Sequence, residues 1–362
     1  MCLGDLRFLL LVIGAAFVAP GSALSGEVAD FPAPAGGAAR QMVVYSSLDT
    51  DLAAPLVAAF QVAHPDIAVR YEDLLTGELH DRIVKESRAG GKTADFAFSS
   101  AMDLQVKLAN DGYARPVLTP DTADWPAWAN WRDTAYALTF EPAVFAYHKP
   151  SFVGRKVPDT RADLIAWLGE NPAGVHARIG TYDITQSGVG YLFLARDQEL
   201  YPGIWAVVEA LGKADVQQFA TSGDLLDRIA DGRLIFGYNL LGSYVAEAAR
   251  QHPEVGLVLP RDFTVVVSRV ALVPTAAASP DLGAEFLSFL MSPEGQSLLS
   301  RELRLPAVSL EVAGRGGSSG GAMDIGTMKL RPVPVSPGLL AYLDQATRKR
   351  LIDRWNDALA GN

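Results

Sequence analysis

The feature that most constrains the fold is a strand-to-helix junction that occurs twice within the first 110 residues. In Met42-Val-Val-Tyr-Ser-Ser, a short apolar run ends at Ser46 and Ser47, and a helix-compatible segment follows. Ser99 and Ser100 follow a second apolar run in the same way. The first N–H groups of a helix lack internal partners, so hydroxyl-bearing turns there suit anions and polar ligands. Serine also caps helices, and either junction alone is compatible with that simpler role.

Apolar periodicity around these junctions predicts alternating strands and helices, which is typical of an α/β fold with a parallel sheet. Ligands of such sheets bind at the carboxyl ends of the strands, so we expect the two serine turns to be neighbours there, with Thr76 beside them. The predicted elements are strand 42–46, helix 51–64, strand 67–72, helix 77–89, strand 95–99 and helix 102–110.

Two further junctions of this type follow in the second half of the chain. One runs from Asp183 through Ser187 and Gly188. The other runs from an apolar strand into Asn239, Ser243 and Tyr244. Four polar junctions of one kind predict the walls of a single pocket, which suits either a binding protein or an enzyme.

Composition and the N-terminus restrict the class of protein. The 362 residues suffice for two domains, and the net charge of −10 argues against binding to nucleic acid or anionic membranes. Arg7, an apolar run over 8–18 and small residues ending at Ala23 predict a secretory signal cleaved after about Ala23, with an uncleaved anchor as the alternative. The single cysteine, Cys2, precedes that site, so the mature chain has no thiol chemistry.

Known catalytic and nucleotide-binding motifs are missing from the sequence. Gly91-Lys-Thr93 resembles the end of a phosphate-binding loop, but Glu86 stands where that motif needs glycine. The dinucleotide fingerprint is incomplete, since Phe193 replaces its third glycine, and no two of the five histidines form a close pair. We therefore predict no enzyme activity and no cofactor; a hydrolase without a known motif is the alternative.

Taken together, several segments resemble the extracellular solute-binding proteins of ABC transporters. These segments are Val-Val-Tyr-Ser-Ser, Ala-Asp-Phe-Ala-Phe-Ser-Ser, Ser-Gly-Val-Gly, Tyr-Asn-Leu-Leu-Gly-Ser-Tyr and, most specifically, the phrase from Ala284 to Gln296. The chain is most similar to the type 2 branch that contains ferric-iron binders and binders of phosphorylated solutes such as phosphoglycerate and hexose phosphates.

This resemblance implies a two-lobed α/β fold with mixed sheets, helices on both faces and a hinge of two strands, near 138–145 and 259–266. The predicted divisions are a signal peptide over 1–23, a flexible leader over 24–40, lobe 1 over 41–140 and 263–305, and lobe 2 over 141–262 and 306–362, with a flexible loop at 314–321.

The resemblance also implies a periplasmic monomer that closes on a small anionic organic solute, phosphorylated or carboxylated, and delivers it to an inner-membrane ABC permease. A sensor histidine kinase is the alternative partner, and no nucleic acid is expected. Arg115 and Arg269 are candidates for the countercharge. The predicted ligand-binding residues are Ser46, Ser47, Thr76, Ser99, Ser100, Asp183, Ser187, Gly188, Asn239, Ser243 and Tyr244.

Ferric iron is the alternative ligand. Iron binders of this branch present adjacent tyrosines, whereas Tyr238 and Tyr244 are six residues apart here. These two tyrosines are the predicted ligands if iron is bound, with Tyr45, Tyr182 or His80 as further oxygen or nitrogen donors.

Overall fold

A computed structural model describes residues 27–36, 40–301 and 329–361 of the chain. The predicted signal peptide over 1–23 and the predicted flexible loop over 314–321 lie outside the described residues. Within the described part, no helix is both long enough and apolar enough to cross a membrane.

The first part of the chain builds most of one mixed sheet. Strands β3, β2 and β4 are parallel, and β1 pairs antiparallel with the outer edge of β3. The predicted alternation of strands and helices is confirmed, whereas the predicted flexible leader is wrong over Val28–Phe31, which forms β1. The elements are β1 (Val28–Phe31), β2 (Arg40–Ser46), α1 (Thr50–Ala63), β3 (Ile67–Asp73), α2 (Thr76–Arg88), β4 (Phe96–Ser99), α3 (Met102–Asn110), α4 (Pro120–Ala123), β5 (Asn130–Trp131) and β6 (Ala135–Ala137).

The chain then crosses, after Ala137, into a second mixed sheet. Its central strand β7 pairs antiparallel with β10 on one side and with β11 and β12 on the other. The elements of this part are β7 (Glu141–His148), α5 (Arg161–Glu170), α6 (Pro172–Val175), β8 (Ile179–Tyr182), α7 (Gly188–Leu200), α8 (Ile204–Lys213), β9 (Gln217–Phe219), α9 (Ser222–Ala230), β10 (Phe236–Leu241), α10 (Gly242–Gln251), β11 (Val255–Val258) and β12 (Thr264–Val267).

The last part of the chain contributes to both sheets. After Val267 the chain returns to the first sheet, where β13 lies between β4 and β6. The C-terminal segment then pairs β14 with β12 and packs α13 on α8, where a β-carbon on Gly212 would collide with the Leu359 carbonyl. The elements are β13 (Val270–Leu272), α11 (Pro280–Met291), α12 (Pro293–Arg301), β14 (Leu330–Pro332) and α13 (Gln345–Ala360).

This architecture is the two-lobed, type 2 arrangement that the sequence predicted. The sheet orders are β1-β3-β2-β4-β13-β6-β5 and β14-β12-β7-β10-β8-β9, with β11 on β7. The only connections between the sheets in the described chain are the passages 138–140 and 268–269, which form a two-strand hinge. The residues at which the lobes divide stay a prediction.

Candidate functional site

A cleft between the two lobes encloses a cavity of about 400 Å³. It lies at the carboxyl ends of β2 and β3 in the first lobe and of β8 and β10 in the second lobe, where ligands of α/β sheets are expected. The lining residues are Glu27, Ser47, Asp49, Asp73, Leu74, Leu75, Thr76, Glu78 and Ser100 from the first lobe, and Tyr182, Ser187, Val189, Ala220, Thr221, Ser222, Asp224, Leu241 and Tyr244 from the second.

The two serine turns of the first lobe are neighbours, as the sequence predicted. The Ser47 hydroxyl donates to Ser99 Oγ over 3.3 Å and accepts from the Ser100 N–H over 3.2 Å. Ser46 accepts from the Leu48 N–H and Ser99 from the Ala101 N–H, so both hydroxyls stabilise turns and neither lines the cleft. Of the two pairs, Ser47 and Ser100 face the cavity.

The third junction closes the cleft from the second lobe. Ser187 caps α7, accepting from the Gly190 N–H over 3.2 Å, and it also lines the cavity. The Gly188 N–H donates across the lobes to Thr76 Oγ1 over 2.8 Å. A β-carbon on Gly188 would lie 2.7 Å from that oxygen, so only glycine permits this approach. Asp183 accepts from Thr185 and Gln186 in its own turn and lies outside the lining.

In the fourth junction, Asn239 and Ser243 have structural contacts, whereas Tyr244 lines the cleft. Asn239 adopts φ 55° at an irregularity of β10 and donates through Nδ2 to Asp197 Oδ2 over 2.6 Å. It is buried among side chains of the second lobe and does not line the cleft, contrary to the prediction. Ser243 is also outside the lining, since its hydroxyl donates to Glu141 Oε2 over 2.5 Å.

Tyr244 of the second lobe also hydrogen-bonds to the first lobe. Its hydroxyl donates to Asp49 Oδ1 over 2.6 Å, and burial raises the pKa of Tyr244 well above its usual range. Tyr182 lines the opposite part of the second lobe and shares a 2.6 Å hydrogen bond with Ser222, and burial raises its pKa to about 12. Both phenols are therefore neutral at physiological pH.

A buried ion pair lies in the hinge, behind the cleft residues Ser47 and Tyr244. Arg269 and Glu141 are fully buried, with Arg269 Nε 3.2 Å from Glu141 Oε1. Arg269 Nη1 donates to the Ser47 carbonyl over 3.0 Å, and its guanidinium lies 5.5 Å from the centre of the Tyr244 ring. The other candidate countercharge, Arg115, is exposed, and neither arginine is among the residues that line the cleft.

The sequence interpretation missed the carboxylates of the cleft. Glu27, Asp49, Asp73, Glu78 and Asp224 all line it. The available signal was position, because Asp73 ends β3 and Asp49 follows the first serine turn. Burial, together with the charge of Asp49, raises the pKa of Asp73 to about 7.

Of the two tyrosines predicted as iron ligands, only one lies at the cleft. Tyr244 lines the cleft, whereas Tyr238 is fully buried in the second lobe and donates to Asp197 over 2.7 Å. Tyr45 donates to Glu86 and His80 contacts Asp81, both outside the lining, while Tyr182 is inside it. Among the described residues, no three His, Cys, Asp or Glu side chains form a group suited to a metal ion.

Comparison with known proteins gives one family match and many structural matches. Residues 42–302 match the family model described as bacterial extracellular solute-binding protein. A substrate-binding protein of an ABC transporter from Agrobacterium tumefaciens is 58% identical, with a TM-score of 0.88 over 92% of this chain and 98% of that one. A search of curated proteins finds no match.

More distant solved structures share the fold at low sequence identity. The periplasmic binding protein AfuA from Actinobacillus pleuropneumoniae, with fructose-6-phosphate bound, is 18% identical, with a TM-score of 0.73 over 88% of this chain and 98% of that one. Iron-bound HitA from Pseudomonas aeruginosa is 15% identical, with a TM-score of 0.68 over 88% of this chain and 99% of that one. At these identities the likeness concerns the fold alone.

Proposed function

Because the chain belongs to the bacterial extracellular solute-binding proteins, we propose that it is the solute-capturing component of an ABC-type uptake system and holds a small polar organic solute between its lobes. One observation carries this proposal: a cavity of about 400 Å³ is lined by side chains from both lobes. Small-molecule sites commonly have volumes of roughly 300–1,000 Å³.

Closure of the lobes supplies the binding mechanism. Three hydrogen bonds cross the cleft and stabilise the closed arrangement: the Gly188 N–H donates to Thr76, the Tyr244 hydroxyl donates to Asp49, and the Asp49 N–H donates to the Tyr244 hydroxyl. A solute that contacts both walls gains contacts only when the lobes are closed, so it shifts the equilibrium toward that state. The closed form is then the state presented to an inner-membrane permease.

The family supports a location outside the cytoplasm, in the periplasm. The proposed route to the periplasm includes cleavage of the signal peptide after about Ala23. A role in reporting the bound state to a sensor histidine kinase stays an alternative prediction.

The chemistry of the lining supports a polar solute more than a simple anion. Hydroxyls of Ser47, Thr76, Ser100 and Ser187 suit the oxygen atoms of a phosphorylated or carboxylated solute, as the sequence predicted. No lysine or arginine is among the lining residues, however; Arg269 lies behind the wall, contacts the Ser47 carbonyl and the Tyr244 ring, and acts on Asp49 and Asp73 through its charge. An anionic group would therefore lack a direct charged partner.

Ferric iron is a second candidate, and one observation favours it. Tyr182 and Tyr244 line the cleft together with several carboxylates, and hard Fe(III) prefers oxygen donors. Binding through the phenols would have to overcome the raised pKa of both tyrosines. A phenolate-to-iron absorption band on adding ferric citrate, lost in Tyr244→Phe, would support iron.

Two glycine-to-alanine variants test whether the solute is captured by closure of the lobes. In Gly188→Ala the new methyl group meets Thr76 Oγ1 at 2.7 Å and Ala101 Cβ at 3.0 Å and holds the lobes apart. Gly77→Ala, beside Thr76, is the matched control because its methyl group meets nothing within 4 Å.

We expect native mass spectrometry of protein purified from its own periplasm to show a bound small solute in wild type and Gly77→Ala. In Gly188→Ala the occupied fraction falls at least tenfold. Equal occupancy in both variants, or no solute in wild-type protein, would contradict capture by closure.

A further inference from the structure

The charge of the cleft lining is one-sided. Five carboxylates line it, from Glu27, Asp49, Asp73, Glu78 and Asp224, and none forms an ion pair with any described residue. Elsewhere in the fold three buried carboxylates are paired with arginines, Glu72 with Arg82, Asp197 with Arg161 and Glu141 with Arg269, whereas buried Asp95 and Asp103 accept from backbone N–H groups. Charges of one sign in a concave, partly dry site focus the potential and attract the opposite charge.

A buried serine on the same wall also points to a ligand. Ser100 is only 3% exposed, and it lines the cavity. Its N–H donates to Ser47 Oγ, whereas its hydroxyl has no hydrogen-bond partner in the described part of the chain. The hydroxyl opens into the cavity and is not one of the fully buried unpaired atoms of the described residues, so a solute that fills the cavity removes it from water and must supply its hydrogen-bond partner. This observation is independent of the carboxylates.

The aromatic lining fits the same ligand class. The Tyr182 and Tyr244 side chains form part of the second-lobe wall. Aromatic faces attract organic cations, and Tyr244 already has the Arg269 guanidinium 5.5 Å from its ring centre. The carboxylates are spread over the wall, and no three described acidic or imidazole groups form a metal site. This spacing suits an extended organic cation more than a single metal ion.

We propose that the solute carries at least one protonated amino group, which the Asp49 and Asp73 carboxylates receive while Ser100 hydrogen-bonds to a neighbouring polar group. The inference rests on the proposed function, because it specifies the solute of the same cleft. Hydroxyl oxygens elsewhere in the solute are compatible with it, whereas a solute with negative charge alone is not.

The first experiment identifies the released solute. Protein purified from its own periplasm is denatured, and the released material is treated with an amine-reactive dye before mass spectrometry. We expect a labelled small molecule. A released solute without a basic nitrogen overturns this inference and leaves the proposed function intact, whereas absence of any solute counts against the proposed function itself.

The second experiment uses solute-free, refolded protein and three probes that differ in charge. Putrescine is the cationic probe, 1,4-butanediol is its neutral isostere and glucose 6-phosphate is the anion. We expect putrescine to raise the Tm at pH 8 more than either of the others. A shift by putrescine no larger than that by 1,4-butanediol, or a larger shift by glucose 6-phosphate, overturns the inference.

Two aspartate-to-asparagine variants test whether the cleft carboxylate Asp73 binds the amino group of the probe. Asp73→Asn is expected to weaken putrescine binding at least tenfold. Asp51→Asn is the matched control, because Asp51 is exposed in the first turn of α1 and outside the lining. Equal weakening in both variants would assign the effect to net charge and would overturn the proposed site.

Discussion

The molecule has two fully buried arginines, each of which forms an ion pair with a carboxylate. Arg161 lies in a structural region, whereas Arg269 lies beside the cleft. Arg161 contacts Asp197, Asp262 and the Phe263 carbonyl, all in the part of the chain that builds the second sheet. Its three guanidinium nitrogens all have partners. Arg269 contacts groups from both lobes, and its Nη2 has no hydrogen-bond partner in the described chain.

The difference shows that burial of a charge does not by itself indicate a role. Arg161 joins elements of one lobe, since α5, α7 and the segment before β12 meet at its side chain. Arg269 occupies one hinge passage and contacts Thr139 and Glu141 next to the other. We therefore expect the Arg161 site to control the stability of the second lobe and the Arg269 site to control the relation between the lobes.

The largest expected effect is at the Arg161 site. Asp197→Ala removes the acceptor of Arg161, Tyr238 and Asn239 at once. Breaking a buried ion pair from one side costs about 3–5 kcal/mol. We expect the free energy of unfolding in urea to fall by that amount, with the unliganded folded protein keeping its radius of gyration. A loss below about 1 kcal/mol would show that the network is dispensable.

The Arg269 site is expected to respond differently to the matching change. Glu141→Gln keeps the shape of the side chain but leaves Arg269 buried without its countercharge. We expect a loss of about 3 kcal/mol, and a larger radius of gyration of the unliganded protein in small-angle X-ray scattering. If the radius equals that of wild type, the Arg269 site is structural in the same sense as the Arg161 site.

A smaller effect distinguishes two polar residues that the sequence placed in one pocket. Asn239→Ala should lower the free energy of unfolding by about 1–3 kcal/mol, because the Asp197 bond is lost and alanine disfavours φ 55°. Ser100→Ala should leave the Tm of the solute-free protein unchanged and weaken solute binding about tenfold, as for loss of one hydrogen bond.

Calorimetric titration with the solute released from the native protein, together with thermal melts, measures both variants. The opposite pattern, with unfolding in Ser100→Ala and weaker binding in Asn239→Ala, would reverse the assignment.

The smallest expected effect is a pH dependence on the cleft side. Burial and the charge of Asp49 raise the pKa of Asp73 to about 7, while the nearby Arg269 opposes that rise. Between about pH 4 and 7 the folded protein holds a proton that the unfolded chain has released, so this group lowers stability as the pH rises. We expect the decline from pH 5 to pH 8 to be smaller in Asp73→Asn than in wild type, by urea unfolding. An equal decline would assign it to other groups, such as Asp103, whose pKa burial raises to about 6.

Much of the fold was predictable because its signals are local. Apolar runs that end in Ser46 and Ser99 identify parallel strands, and the neighbouring turns follow from the geometry of such sheets. Cleft residues at the serine turns and at the start of α7 were found in the same way. The same rule failed at Asn239, because an irregularity in β10 turns its side chain toward Asp197, 42 residues away.

The cleft carboxylates were missed for a related reason. Aspartate at the end of a strand is also common in ordinary turns, so the sequence pattern does not distinguish Asp73 from a solvated turn residue. Its environment depends on Glu27 and Asp49, which the fold brings beside it. Such convergence is tertiary information and leaves no local signal.

The strand β1 has a practical consequence for making the protein. Glu27 immediately precedes this strand, lines the cleft, and accepts the Asp73 N–H through its carbonyl over 2.8 Å. A shortened expression clone that starts at the clearly periodic sequence near Met42 would therefore lack β1 and the lining residue Glu27 while keeping most of the fold. Affinity tags are better attached after α13, because Gly361 beyond it has no neighbouring atoms at its β-position.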